Sequence, residues 1–448
     1  MAATGKQRRS VVLHFDLNRT VLMSDAAGGR TMENTVDYLL SECTWGYVHP
    51  HKPSEWVCVS EASSIEPPAV ASVAIDGAQV PVKLITYKQF VDDSHPYQSL
   101  QSASGEGNGS TIEQIKAFNK AAKKQRTNLQ SAFTGGDGPG ARVRGSFHDV
   151  MDKLHFPEGH QRDAAKQVAS SLPASRLQEA FSEGKYYLLP SFMNFLSFLA
   201  GNAGAISGAS STASSIATEN YDFKLVFRTF GDDIPEVAKE LELLVEGKHP
   251  FFPSGEQKLP ANFKLDVSLN STHVGTFYRD GYSADGTALA VGTLTKLPFS
   301  SANQSDAGAL DKFYGEASGS VQIVRGFKAI HSKIAEMLRE SSTLALRDYW
   351  EWWSAHAENG EYGKILLVGD NATAEKEDIV IFFDDHIEAH HSHIVDVRDV
   401  TSGLPVPFEK SKCKYLQRVE PFVAITDPRY FITLVEKILQ DHEDSSKL

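Results

Sequence analysis

The stretch Val11-Val12-Leu13-His14-Phe15-Asp16-Leu17-Asn18-Arg19-Thr20 decides how the rest of the chain is read. An apolar run of strand length ends in a carboxylate, and a threonine follows four residues later. Continuous apolar runs suit strands buried on both faces of a parallel sheet. A carboxylate at the exit of such a strand stands where open α/β sheets place their chemistry. There it can act as a nucleophile or hold a divalent metal.

Working outward, further segments have the same character. Phe223-Lys224-Leu225-Val226-Phe227-Arg228-Thr229 is an apolar strand ending in a hydroxyl. A third piece runs from Leu344 through an aromatic helix (Tyr349, Trp350, Trp352, Trp353) into Lys364-Ile365-Leu366-Leu367-Val368. The run Ile379-Val380-Ile381-Phe382-Phe383 ends in the acidic pair Asp384-Asp385. Ile394-Val395-Asp396-Val397 and a helix from about Pro428 to Leu439 complete the expected core. If these strands are parallel, Asp16, Thr229, Asp384 and Asp385 meet at one sheet edge. Carboxylates and a backbone carbonyl converging there suit Mg²⁺, with the remaining coordination left to water and phosphate.

The 448 residues are 41% hydrophobic and 23% charged, an ordinary globular composition. Lys and Arg number 44 against 57 for Asp and Glu, a formal charge of −13 that argues against a nucleic-acid surface. Cys43, Cys58 and Cys413 make neither a disulfide framework nor a metal knuckle. The apolar run after Lys6, Arg8 and Arg9 is too short for a signal segment. No stretch approaches the ~20 apolar residues of a membrane helix, so no membrane association and a cytoplasmic or nuclear location are expected.

In order and content these motifs resemble the haloacid dehalogenase (HAD) superfamily. Its first motif is an Asp nucleophile, usually a second Asp two residues on, and a Thr or Val two further. Here the positions read Asp16, Asn18 and Thr20. Its second motif is similar to Phe223–Thr229 and its fourth to Ile379–Asp385, while Lys364 and Arg347 both qualify as the third-motif cation. The resemblance covers about a third of the chain. It implies an α/β fold with a Rossmann-like core and a parallel sheet, discontinuous over residues 8–24, 220–245 and 344–440. A mixed α/β cap insertion at 25–219 and a second, β-rich insertion at 246–343 would interrupt it.

The resemblance also implies roles. Asp16 would attack phosphorus and form an aspartyl-phosphate. Thr229 and the Phe230 and Gly231 backbone would bind phosphoryl oxygens. Lys364 or Arg347 would neutralise charge. Mg²⁺ would be held by Asp16, the Asn18 carbonyl, Asp384 and Asp385, and the substrate would be a small phosphorylated molecule. Asn18 departs from the pattern, because an amide neither protonates a leaving alkoxide nor activates water. Such general acid–base help is worth ~10²–10⁴-fold. The expectation is therefore a Mg²⁺-dependent phosphatase with a good leaving group or a proton donor from elsewhere. The alternative is a weak or inactive relative that binds a phosphorylated ligand or a protein. Dehalogenation tolerates Asn18, but the acidic pair speaks for Mg²⁺.

Other features carry less. Asp233 is expected to N-cap a helix, with Pro235 in its first turn and Glu236 completing a capping-box-like pattern. The run from His386 to His393 lacks the helical His-Glu-x-x-His spacing of a zinc site; a histidine of this loop contacting substrate, His386 first, is the better reading. Gly136–Ala141 mimics a dinucleotide fingerprint but follows a helical pattern instead of a strand. Helices are expected near Thr111–Phe133 and Arg162–Phe181, and a hairpin joins Val274–Arg279 to Ala288–Thr293 through Ser283–Gly286. Residues 201–216 read as a small, polar connector, and Val368-Gly369-Asp370 as a weaker fourth-motif candidate.

Overall fold

The computed structural model describes residues 8–23, 31–98, 112–201, 220–252, 258–279, 286–306, 308–317, 321–356, 358–369, 378–412 and 414–445. Asp370, Cys413, the hairpin residues Ser283–Asp285 and nearly all of the 201–216 connector lie outside them. The chain divides into two compact units, one of Met1–Leu22, Phe156–Glu420 and Asp427–Leu448, the other of Met23–His155 and Pro421–Thr426.

Strand β1 (Arg9–Asp16) opens the larger unit. The smaller unit supplies β2 (Trp45–His49), β3 (Lys52–Cys58), β4 (Ser72–Ile75), β5 (Ala78–Pro81) and β6 (Ile85–Thr86). Here β3, β2 and β6 form one antiparallel sheet and β4 and β5 a hairpin. Its expected long helix spans Ile112–Gln130. Phe133, just beyond that helix, stacks on Tyr87 at 4.9 Å between ring centroids.

The larger unit continues with β7 (Tyr221–Thr229), β8 (Val274–Arg279), β9 (Thr287–Val291), β10 (Gln322–Arg325), β11 (Thr343–Arg347), β12 (Lys364–Val368), β13 (Ile379–Asp384), β14 (Val395–Asp399) and β15 (Leu416–Arg418). Eight strands form a mixed, mostly parallel sheet in the order β10-β9-β8-β11-β7-β1-β13-β15. β1 lies parallel between β7 and β13, with Asp16 opposite Arg228 and Phe15 opposite Phe383. β11 runs parallel to β7 with Arg347 opposite Thr229. Asp16, Thr229, Arg347 and Asp384 therefore end on the same edge, as the α/β reading requires.

Side chains alternate across a strand, so β1 serves two cores. Phe15 meets Phe192, Phe195 and Phe431, from the helices Pro190–Leu199 and Tyr430–Ser445, at 5.1–5.8 Å. Val12 packs instead with Val226, Leu344 and Leu346, with Ile330 and Met337 of the helix Phe327–Glu340, and with Ile365 and Leu367.

The structure corrects the expected boundaries. Residues 156–199 belong with the sheet and not with a cap that runs to 219, because the helix Pro190–Leu199 is apolar nearly all round and is buried beneath β1. The β-rich segment within 246–343 is not a separate layer. β8 pairs with β11, and β9 and β10 extend the same sheet antiparallel. The two strands of the expected hairpin pair antiparallel, with Arg279 opposite Thr287. β12 and β14 do not enter the main sheet but pair with each other in parallel. Both neighbours of β1 are already taken, and an apolar run signals burial without specifying a partner. The single helix expected over Arg162–Phe181 is two, His160–Ala169 and Arg176–Ser182, broken at Leu172-Pro173. Among the described residues, no helix is long and apolar enough to cross a membrane.

Candidate functional site

Asp16 and Asp384 are buried at the ends of the adjacent parallel strands β1 and β13. Both carboxylates meet one cation, Lys364. Its Nζ donates to Asp16 Oδ1 at 2.5 Å and to Asp384 Oδ2 at 2.8 Å. Lys364 is the first residue of β12, whose Ile365 and Leu367 are buried in the core that covers the Val12 face of the sheet. The ammonium also lies 5.2 Å from the Phe230 ring, which stacks on Trp353 at 5.4 Å. Of the two expected cations, Lys364 is thus the one brought to Asp16. Arg347 instead donates to the Leu294 carbonyl at 3.0 Å.

Burial pushes the Asp16 carboxyl up to about 7; Lys364 opposes this, and Asp384 and Asp385 reinforce it. For Lys364 burial works against the charge, but Asp16 and Asp384 outweigh it and hold the ammonium above its ordinary range. Thr20 Oγ1 donates to Asp16 Oδ2 at 3.4 Å.

Asp385 follows at once. Its Oδ1 lies 2.9 Å from His386 Nδ1 and its Oδ2 3.4 Å from Arg19 Nε. Burial opposes its ionisation, but His386 and Arg19 outweigh burial and hold this carboxyl well below the usual range. In return Asp385 overcomes the desolvation of His386 and raises that imidazole to about 9. The His386 backbone N–H donates to Asp384 Oδ1 at 2.9 Å.

Thr229 is buried at the end of β7, but its Oγ1 accepts from the Gly231 N–H at 2.9 Å. The loop donor expected to meet a phosphoryl oxygen is therefore engaged within its own turn. Asn18 turns its amide to Asp233, Nδ2 donating to Oδ2 at 3.1 Å. Asp233 does hold the N-cap position of the helix Ile234–Glu246, yet its side chain makes no capping bond. Its Oδ1 accepts from Tyr187 Oη at 3.2 Å and pairs with Arg176 Nη1 at 3.0 Å. The expected capping box is thus replaced by an anchor for Asn18. A Cβ at Gly231 would approach Asp233 Oδ2 to 2.8 Å, so a larger residue there would have to displace that carboxylate.

Beneath the edge, Arg228 makes a doubled bond to Asp348, Nε to Oδ2 at 2.9 Å and Nη2 to Oδ1 at 2.5 Å. Its Nη2 also donates to the Ile365 carbonyl at 2.9 Å, which fixes β12 next to Lys364. Burial and Arg228 hold the nearby His14 well below its ordinary pKa, so it is a neutral ring stacked on Phe382. Arg19, Arg228 and Asp348 carry no signal in the sequence beyond adjacency to the strand ends.

Asp384, Asp385 and His386 offer ligand atoms within 4.8 Å of one another, a donor set rich in the oxygens a hard cation prefers. Each of those four carboxylate oxygens already has a partner, and each carboxylate has a cation beside it. As arranged, these residues do not fit a divalent ion. The edge can still do other chemistry. It presents a buried carboxylate against an ammonium, with no ionisable acid at position 18. No protein-family model, no curated protein and no solved structure matches the chain.

Proposed function

We propose that this is a HAD-like protein whose Asp16 edge is a phosphoryl-transfer site restricted to substrates with good leaving groups. The observation that carries the reading is Lys364, bridging Asp16 and Asp384 where parallel strands end. An Asp16 oxygen would attack phosphorus, forming the aspartyl-phosphate O–P bond as the bond to the leaving group breaks. Water would then attack that phosphorus, breaking the O–P bond to Asp16 and releasing phosphate and a proton. Lys364 would neutralise charge between the nucleophile and the phosphoryl oxygens. Positioning and charge stabilisation are what phosphoryl transfer asks of a protein. Asn18 cannot give the departing oxygen a proton, so the leaving group must be stable as an anion, as in acyl phosphates and phosphoanhydrides.

The test is turnover of acetyl phosphate, pyrophosphate and alkyl phosphate esters by wild type and Asp16→Asn. Hydrolysis of the first two, absent in the variant and slow or absent for alkyl esters, is expected. Equal turnover by Asp16→Asn would overturn the reading.

The second reading is a phosphate-binding protein without turnover. It is favoured by the Asn18–Asp233 bond, which leaves Asp233 anchored and not poised as a substitute acid. In that case wild type binds phosphate without hydrolysing any ester, and Asn18→Asp creates activity.

A further inference from the structure

We infer that Arg19 is the resident cation of Asp385 and excludes a divalent ion from this edge. The inference rests on reading the edge as a phosphoryl site, since that is the chemistry for which a metal would be needed. Arg19 leaves β1 with φ of 63°, a left-handed conformation that costs a residue of its size energy. Such strain persists where surrounding structure over-determines it, and it gathers at functional sites. The loop supplies that constraint. Arg19 N–H donates to the Leu22 carbonyl at 2.7 Å, and Leu22 N–H to the Leu17 carbonyl at 2.9 Å.

The result is a buried guanidinium whose Nε lies 3.4 Å from Asp385 Oδ2. Lys364 and His386 hold the remaining oxygens of the pair. A divalent ion bound at Asp385 would sit against the Arg19 charge in a dry site, where like-charge repulsion is strong. The cation is therefore built into the chain, one residue after Asn18. Phosphoryl chemistry here relies on Lys364 for charge and is insensitive to chelators.

The experiment is titration of the full chain with Mn²⁺, read by its paramagnetic resonance, and with Mg²⁺, read by calorimetry. Wild type is compared with Arg19→Gly, which removes the charge and relieves the backbone. Wild type is expected to show no saturable site. Arg19→Gly should gain one, at least roughly tenfold tighter than any wild-type binding, because Asp385 loses a competing cation. Adding Asp385→Asn to Arg19→Gly should abolish it. Should Arg19→Gly not fold, Arg19→Gln takes its place with the same expectation. Wild-type binding as tight as the variant's would overturn the inference, and so would no binding by either. Metal binding is read without turnover, so an inactive protein leaves this result intact. Chelator-sensitive wild-type turnover would sink the role of Arg19 while leaving the phosphoryl reading standing.

Discussion

Lys364 is enclosed between Asp16 and Asp384, and its charge lets two carboxylates stand together away from water. Lys364→Met would leave them facing one another uncompensated. Breaking a buried pair in this way costs about 3–5 kcal/mol, to be read as a lowered urea midpoint. A loss near zero would mean the carboxylates find protons or water instead. His386 gives a second prediction, through pH. Its folded pKa of about 9 lies above the ordinary 6.5, so the folded state binds the extra proton between those values. The stabilisation is complete below about pH 6.5 and is lost as pH rises through about 9. The thermal midpoint of wild type should therefore fall relative to His386→Gln across that window. Parallel curves would show that the Asp385 pairing is not felt. The His386 side chain is 42% exposed, so the change will be small.

The elements around the edge differ in how much they hold up. Trp350 and Phe192 are both large aromatics on helices, but Trp350 is 44% exposed and Phe192 fully buried. Phe192→Ala removes a ring packed on Phe15, Phe227 and Phe431 and should cost about 3–5 kcal/mol in denaturant unfolding. Trp350→Ala should stay within about 0.5 kcal/mol of wild type. Reversal of that order would mean the helix Pro190–Leu199 is not the floor of the sheet. Periodicity foretold a helix near Ile112–Gln130 and strands at β1, β7 and β13 because long, uniform patterns carry their own evidence. It missed the break at Leu172-Pro173, where helical periodicity on both sides hid a proline.

At the scale of the larger unit, the main sheet and the small β12–β14 sheet are tied by Arg279. Its Nη2 pairs with Asp396 Oδ2 at 2.6 Å and its Nη1 donates to the Gly363 carbonyl at 2.9 Å, one residue before Lys364. Arg279→Met should cost about 3 kcal/mol, the lower end for a broken buried pair, because Arg398 Nε still reaches Asp396 at 2.8 Å. A double-mutant cycle with Asp396→Asn should recover part of the loss as coupling energy. Additive losses would show that Arg279 acts through the backbone of β12 alone.

The chain's local chemistry determined that segments such as β1, β7, β12 and β13 are strands, that Asp16 and the Asp384-Asp385 pair end two of them, and that position 18 lacks an acid. Those are properties of residues and their neighbours, set by burial and by the chemistry of single side chains. Which strands pair is a different matter. Nothing in Lys364–Val368 separates a main-sheet strand from a partner for β14, since both are buried on two faces. The choice between Lys364 and Arg347, the turning of Asp233 from a cap to an anchor for Asn18, and the reach of Arg19 to Asp385 were decided only by tertiary structure. Each joins groups far apart in the chain, and their energies exist only once packing has excluded water and fixed the distance between charges.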